Sequence, residues 1–248
     1  MIELLPLEGL PIIKPGDDLV AMLLTSLRQM SPQADDILVV TSKIVSKAEG
    51  RFVNLRDVVP TEQASELAQV TRKDPRLVEL ILRESQSVSR LAPGVLITQH
   101  RQGYTSANAA IDHSNVADDM DMVLLMPLDP DASARRMQTC LSEALHMHIA
   151  VVIVDSHGRP HRVGTVGVAV GVAGMPGVED LRGRPDLFGY QLQHTEIGMA
   201  DMVASAATLL LGQAAEGIPA VLVRGVTFSR HDGSAAEIIR PAQINLYA

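Results

Sequence analysis

Leu19, Leu23 and Leu27 recur every four residues behind Gly16 and the capping candidate Asp17, which predicts an amphipathic helix over 17–30. The continuous apolar run "DILVV" (36–40) reads as a buried strand. Thr61 predicts the cap of a helix over 62–72, and Asp74-Pro75, a cap followed by a first helical position, predicts a second to about Ser85. "GVLITQH" and "GYTSANAAI" read as a hairpin or two sequential strands. A helix is expected from Asp131 to about 146, then the buried strand "VVIVD" and a glycine-rich strand over 164–172. Residues 195–211, rich in Ala, Met and Leu, predict a helix, and "IPAVLVRG" (218–225) a last buried strand.

Strands and helices mix without the regular alternation of a doubly wound sheet, so an α+β fold with mixed sheets is expected. No repeat or linker divides the 248 residues, which read as a single unit with room for two intimately packed subdomains. The least patterned segment is 175–193, a long polar loop of the kind that often carries function.

Composition narrows the class. Apolar residues make up 46 % and charged residues 20 %, as in an ordered globular chain. Apolar runs break well short of the ~18 residues of a membrane span, and the N-terminus lacks a basic leader. A single cysteine, Cys140, excludes an internal disulfide, fits a reducing cytoplasm and is expected to be a small buried hydrophobe. A net charge of −8 argues against nucleic-acid binding but not against a nucleotide enzyme, whose phosphates need only local cations and a divalent metal.

No G-x-x-x-x-G-K-[ST] loop occurs, and Gly167, Gly171 and Gly174 are not spaced for a dinucleotide, so they read as close packing in a strand. Three polar stretches could carry chemistry. "TSKIVSKAEGR" (41–51) sets Ser42, Lys43, Ser46, Lys47 and Arg51 just past a strand end, with Gly50 to turn the chain. It reads as a phosphate-binding turn or simply a solvated basic one. "NAAIDHSN" presents Asp112 and Asn115, and "VVIVDS" ends on Asp155 and Ser156. Each acidic turn alone is more commonly an Asx-turn; together with the lysines they form a constellation suited to a divalent metal on phosphates. The eight histidines form no zinc-type set, and no nucleophile elbow appears. The residues by themselves leave open a metal-dependent phosphohydrolase and a catalytically silent nucleotide-binding protein.

Seven stretches in order, "LEGLPIIKPGDDL", "SKAEGR", "ANAAIDHSN", "LLMPLDPDASA", "VDSHGRPHRVGTVGVAVGVAG", "DLRGRPDLFG" and "GQAAEGIPAVLVRG", resemble the coenzyme F-420 gamma-glutamyl ligase family nearly end to end. The resemblance implies a GTP-dependent ligase that adds L-glutamate to a deazaflavin F-420 precursor through gamma-linkages by way of an acyl phosphate. It implies a cytoplasmic, intertwined homodimer with Mg²⁺ or Mn²⁺ at two sites and a role for K⁺. It also implies site residues: Leu10, Pro11, Ile12 and Ile13 at the guanine pocket; Ser42, Lys43, Lys47 and Asn115 on the nucleotide; and Leu211, Gly212, Gln213, Ala214, Ala215, Glu216, Gly217 and Ile218 wrapping it. Asp112 and Asp155 would hold one metal, with Ser156 and Gln213 contributing to a second; Asp112, Asp155 and Lys47 are the expected catalytic residues. The pattern Asp-Thr-x-Gly-Arg-x-Trp-Arg appears here as residues 155–162, with Ser156 for Thr and His161 for Trp, and Ala-Asp-Glu becomes Ala200-Asp201-Met202. These departures bear on acceptor recognition, leaving room for an amino-acid ligase acting on a different carboxylate. No fused nitroreductase-like domain is expected after the ligase region.

Overall fold

The computed structural model describes residues 1–245. Its centre is a five-stranded sheet in the order β1 (Glu3–Pro6), β12 (Ala220–Arg224), β2 (Asp36–Thr41), β8 (Ile149–Arg159) and β9 (Arg162–Ala173). Only β2 and β8 run parallel; the other neighbours are antiparallel. Strand residues alternate between two faces. Leu38, Val40, Val151 and Ile153 face α1 (Leu19–Gln29) and α5 (Pro130–Leu145), while Ile37, Val39, Val152 and Val154 face α6 (Met199–Leu211). Buried on both sides, these strands are the continuous apolar runs seen in the sequence.

Gly167 and Gly171 let the helices approach β9. A Cβ at Gly167 would overlap the Thr208 hydroxyl and the Ala204 carbonyl of α6, and one at Gly171 would lie 2.5 Å from the Pro130 carbonyl oxygen of α5. The glycine ladder is thus a packing feature, as its spacing suggested.

A third buried cluster gathers Leu55, Ala64, Val78, Ile81, Leu96 and Val123. It joins α3 (Glu62–Thr71) and α4 (Pro75–Glu84) to two small sheets. One pairs β3 (Phe52–Asn54) with β7 (Met122–Leu124); the other is β4 (Ser85–Ala92), β5 (Val95–His100) and β6 (Thr105–Ala107). Thr61 and Asp74 cap α3 and α4 as expected, accepting from Ala64 N and Arg76 N. A last pair, β10 (Glu179–Asp180) and β11 (Glu196–Ile197), closes the base of the long loop, whose Leu187, Phe188 and Tyr190 are exposed. No helix among the described residues is long and apolar enough to cross a membrane.

Several local expectations need correction. Residues 42–48 form a helix, α2 (Ser42–Ala48), rather than a turn, because Ile44, Val45 and Ala48 make an apolar helical face. Gly50, at φ 69°, does turn the chain just after it. Asp18 caps α1, while Asp17 binds Lys14 N. Asp129 caps α5, and Asp131 instead accepts from Val172 N and Ala235 N. Residues 195–197 enter a short strand, so α6 starts at Met199. Cys140 is exposed, since α5 buries 130, 133, 134, 137 and 141 and turns residue 140 outward.

Candidate active site

Pairing in the central sheet brings distant segments to one edge. The parallel register sets Thr41 beside Val154, so Ser42, the first residue past β2, lies next to Asp155, where β8 runs on paired with β9 alone. The antiparallel β12 begins at that same edge, where Thr41 N binds Pro219 O, and this delivers the loop after α6. The neighbouring β1 ends there as well, with Leu7 N on Ala220 O, so residues 10–13 follow it out. The segment after β6 closes the remaining side. Carboxyl ends of parallel strands are where open α/β sheets generally hold ligands.

The result is a cleft of about 950 Å³. Leu10–Ile13, Ser42, Lys43, Lys47, Asp112, Asn115, Asp155, Ser156 and the whole run 211–218 line it together. Sequence reasoning missed Ile44, Ala110, Ile111, Ser114, Val116 and Asp118, which also form its walls. The run "SNVADD" after Asn115 was the available signal for the last two. His161 is not in the wall; it occupies the β8–β9 turn at φ 59° and is solvent-exposed. Met202 is 60 % exposed, and its neighbour Asp201 accepts from Ala169 N, joining α6 to β9.

Hydrogen bonds fix the walls to one another. Ser42 Oγ donates to Asp155 Oδ1 at 2.9 Å, and Lys43 Nζ donates to Ser114 O at 2.9 Å while lying 3.5 Å from Asp112 Oδ2. Gln213 Nε2 donates to Ser156 Oγ and Asn115 Nδ2 to Ala214 O, each at 2.8 Å, holding the 211–218 loop against β8 and the 112–115 turn. Asp112 is not a simple Asx-turn: its backbone pairs with Leu124 as an isolated bridge, and its side chain faces the lysines.

The electrostatics are those of charges drawn together out of water. Burial pushes the Asp112 carboxyl up to about 6; Lys43 and Lys47 oppose this, and the Asp155 charge adds to it. Burial would also raise Asp155, yet the hydrogen bond and charge of His157 and the Ser42 hydroxyl hold it below the ordinary carboxylate range. Lys47, four residues after Lys43 on one helical face, is lowered by burial and by its neighbour's charge.

The donor set of Asp112, Asp155, Ser42, Ser156 and the Gln213 amide is all oxygen on the protein side, the chemistry that suits Mg²⁺ or Mn²⁺. Among the described residues no cluster of three or more His, Cys, Asp or Glu side chains could hold a metal alone. The pair of carboxylates would therefore leave a divalent cation to complete its shell with oxygens from outside the protein, as Mg²⁺ commonly does.

The model of the F420-0:gamma-glutamyl ligase family matches residues 9–225, which include every wall of this cleft. The chain belongs to that family. Its relatives among F420-0:gamma-glutamyl ligases match it almost end to end. The coenzyme F420:L-glutamate ligases of Methanothermobacter thermautotrophicus and Methanopyrus kandleri are each 41 % identical over 250 residues, 99 % of this chain and 98 % and 96 % of theirs. That of Archaeoglobus fulgidus is 40 % identical over 96 % of this chain and 93 % of its own. In this member of the F420-0:gamma-glutamyl ligase family, the stretches "SKAEGR", "ANAAIDHSN", "VDSHGRP" and "GQAAEGIP" all pass the cleft or its immediate supports.

Proposed function

We propose that this chain is a GTP-dependent ligase that joins L-glutamate to a deazaflavin coenzyme F420 precursor. The observation that carries the reading is the meeting of Lys43, Lys47, Asp112 and Asp155 at one cleft in a chain of this family.

The reaction has two displacements. A carboxylate oxygen of the acceptor attacks the γ-phosphorus of GTP and GDP leaves, giving an acyl phosphate. The glutamate amine then attacks the acyl carbon, inorganic phosphate departs with the C–O electron pair, and the amine gives up a proton as the amide forms. The first step brings two anions together, so its barrier is largely electrostatic. Lys43 and Lys47 supply positive charge to the phosphates, and Ser114 O already holds the Lys43 ammonium in place. Asp112 and Asp155 are the residues that would hold a divalent metal, with Ser156 and Gln213 beside a second. Bound there, the metal neutralises phosphate charge as it builds in the transition state. Leu10–Ile13 offer an apolar wall to the base, and the 211–218 loop excludes water from the acyl phosphate, which would otherwise hydrolyse. The exposed Leu187, Phe188 and Tyr190 support a homodimer as the working form, which light scattering in solution checks.

Mass spectrometry of the acceptor after incubation with GTP, Mn²⁺ and glutamate tests the activity. Glutamyl increments are expected. Phosphate release that needs neither glutamate nor acceptor would replace the ligase with a hydrolase.

A further inference from the structure

Both oxygens of Asp155 are held from behind. Ser42 takes Oδ1, and His157, two residues further along the same face of β8, has Nε2 2.9 Å from Oδ2. The imidazole is 7 % exposed and the carboxylate 15 %, so this contact is made away from bulk water, where a charge-assisted hydrogen bond is at its strongest.

His157 is in turn fixed by rings. Tyr104 packs on it with centroids 5.2 Å apart at 45°, and His100 stacks flat on Tyr104 at 4.7 Å and 8°. His100 Nε2 lies 3.8 Å from Glu84, which pairs with Arg51. The Tyr104 hydroxyl makes no hydrogen bond to a described residue, so Tyr104 contributes shape rather than polarity. Three rings from β5, the turn before β6, and β8 thus form a rigid wall behind one carboxylate.

We propose that His157 is a positioning residue: it fixes the plane of the Asp155 carboxylate so that its free lone pairs face the cleft, and Tyr104 fixes His157. A carboxylate with one donor on each oxygen retains lone pairs in defined directions. Partners of this kind commonly set the affinity of the ligand group they orient. The inference rests on the reading of Asp155 as a holder of a divalent cation.

Its test is Mn²⁺ binding to the full-length protein in the presence of GDP, followed by the electron paramagnetic resonance signal of free Mn²⁺. His157→Phe, which keeps a ring but no donor, should weaken binding about 10- to 100-fold. His157→Gln, whose amide N–H can donate, should regain most of it. Equal binding by His157→Phe and wild type overturns the positioning role and leaves the ligase reading standing. A loss in both variants alike overturns it too, since ring volume rather than the hydrogen bond would then matter. Absence of Mn²⁺ binding by the wild-type protein overturns the metal reading and this inference with it. Should His157→Phe fail to fold, Tyr104→Leu carries the same expectation, and undiminished Mn²⁺ binding there overturns the proposal.

Discussion

The Ser42 hydroxyl donates to Asp155 Oδ1 across 2.9 Å, joining residues 113 positions apart in the chain. The contact follows from one fact of topology: β2 and β8 are parallel neighbours, with Thr41 opposite Val154. Everything proposed for the site depends on that shared strand edge.

Asp155→Asn keeps the shape of the side chain but removes the charge and one of the two acceptor oxygens that Ser42 and His157 engage. Turnover should fall by about 10²-fold or more, since the phosphates would lose the cation proposed to sit on this carboxylate. Steady-state GDP release in the presence of glutamate and acceptor measures it, and circular dichroism should be unaltered. Near-normal metal-dependent turnover would remove Asp155 from the metal site.

Guanine recognition by the walls at Leu10–Ile13 predicts a nucleotide preference. GTP should outcompete ATP by about tenfold or more in kcat/KM: the side chains of Leu10–Ile13 are apolar, so selection between the bases falls to backbone N–H and C=O groups of that segment, which if matched to guanine would be left unpaired by adenine. Competition with both nucleotides in one reaction reads this directly. Equal use would take the base out of this pocket.

Gly167→Ala should be destabilising. The new Cβ would overlap Thr208 Oγ and the Ala204 carbonyl, and backbone cannot move aside as a flexible side chain can. Overpacking of this kind costs about 1–3 kcal/mol. Thermal unfolding should drop by roughly 2–4 °C per kcal/mol for a chain of this size. An unchanged Tm would mean that α6 shifts freely on β9.

Glu79 predicts an acid-sensitive helix pair. Its buried carboxylate accepts from Thr61 N at 2.9 Å, Thr61 Oγ1 at 2.7 Å and Arg83 Nε at 2.9 Å, and these bonds, the Thr61 backbone N–H foremost, hold it below its ordinary value of 4.5. The folded protein therefore binds this proton less tightly than the unfolded chain. The stabilisation is present above pH 4.5 and is lost as pH falls through the lower folded value. Glu79→Gln should cost about 1–3 kcal/mol at neutral pH and converge on wild type in acid. Urea unfolding across pH checks this; a constant gap between the two proteins would contradict it.

Much of the architecture was legible in the chain. Leu19, Leu23 and Leu27 marked α1, Thr61 and Asp74-Pro75 marked the starts of α3 and α4, and uninterrupted apolar runs marked β2, β8 and β12. Short strands such as β1, β3, β7 and β10 were not legible, since two to four residues carry no period to detect. The helix α2 was hidden by its own polar residues, Ser42, Lys43, Ser46 and Lys47, all of which but Ser46 line the cleft.

The sequence by itself determined which side chains are apolar on one face, where helices begin, and which family's motifs run through the chain. Only the tertiary structure decided that segments near residues 12, 43, 112, 155 and 213 share one cleft. Periodicity reports how a segment faces its surroundings, whereas strand pairing, which is non-local, decides what those surroundings are. The same holds for charge: Asp112 and Asp155 are the same residue type and looked alike in the sequence, each ending an apolar stretch ahead of polar residues. One is pushed up by burial near another carboxylate, and the other is held down by a histidine and a serine brought to it by the fold.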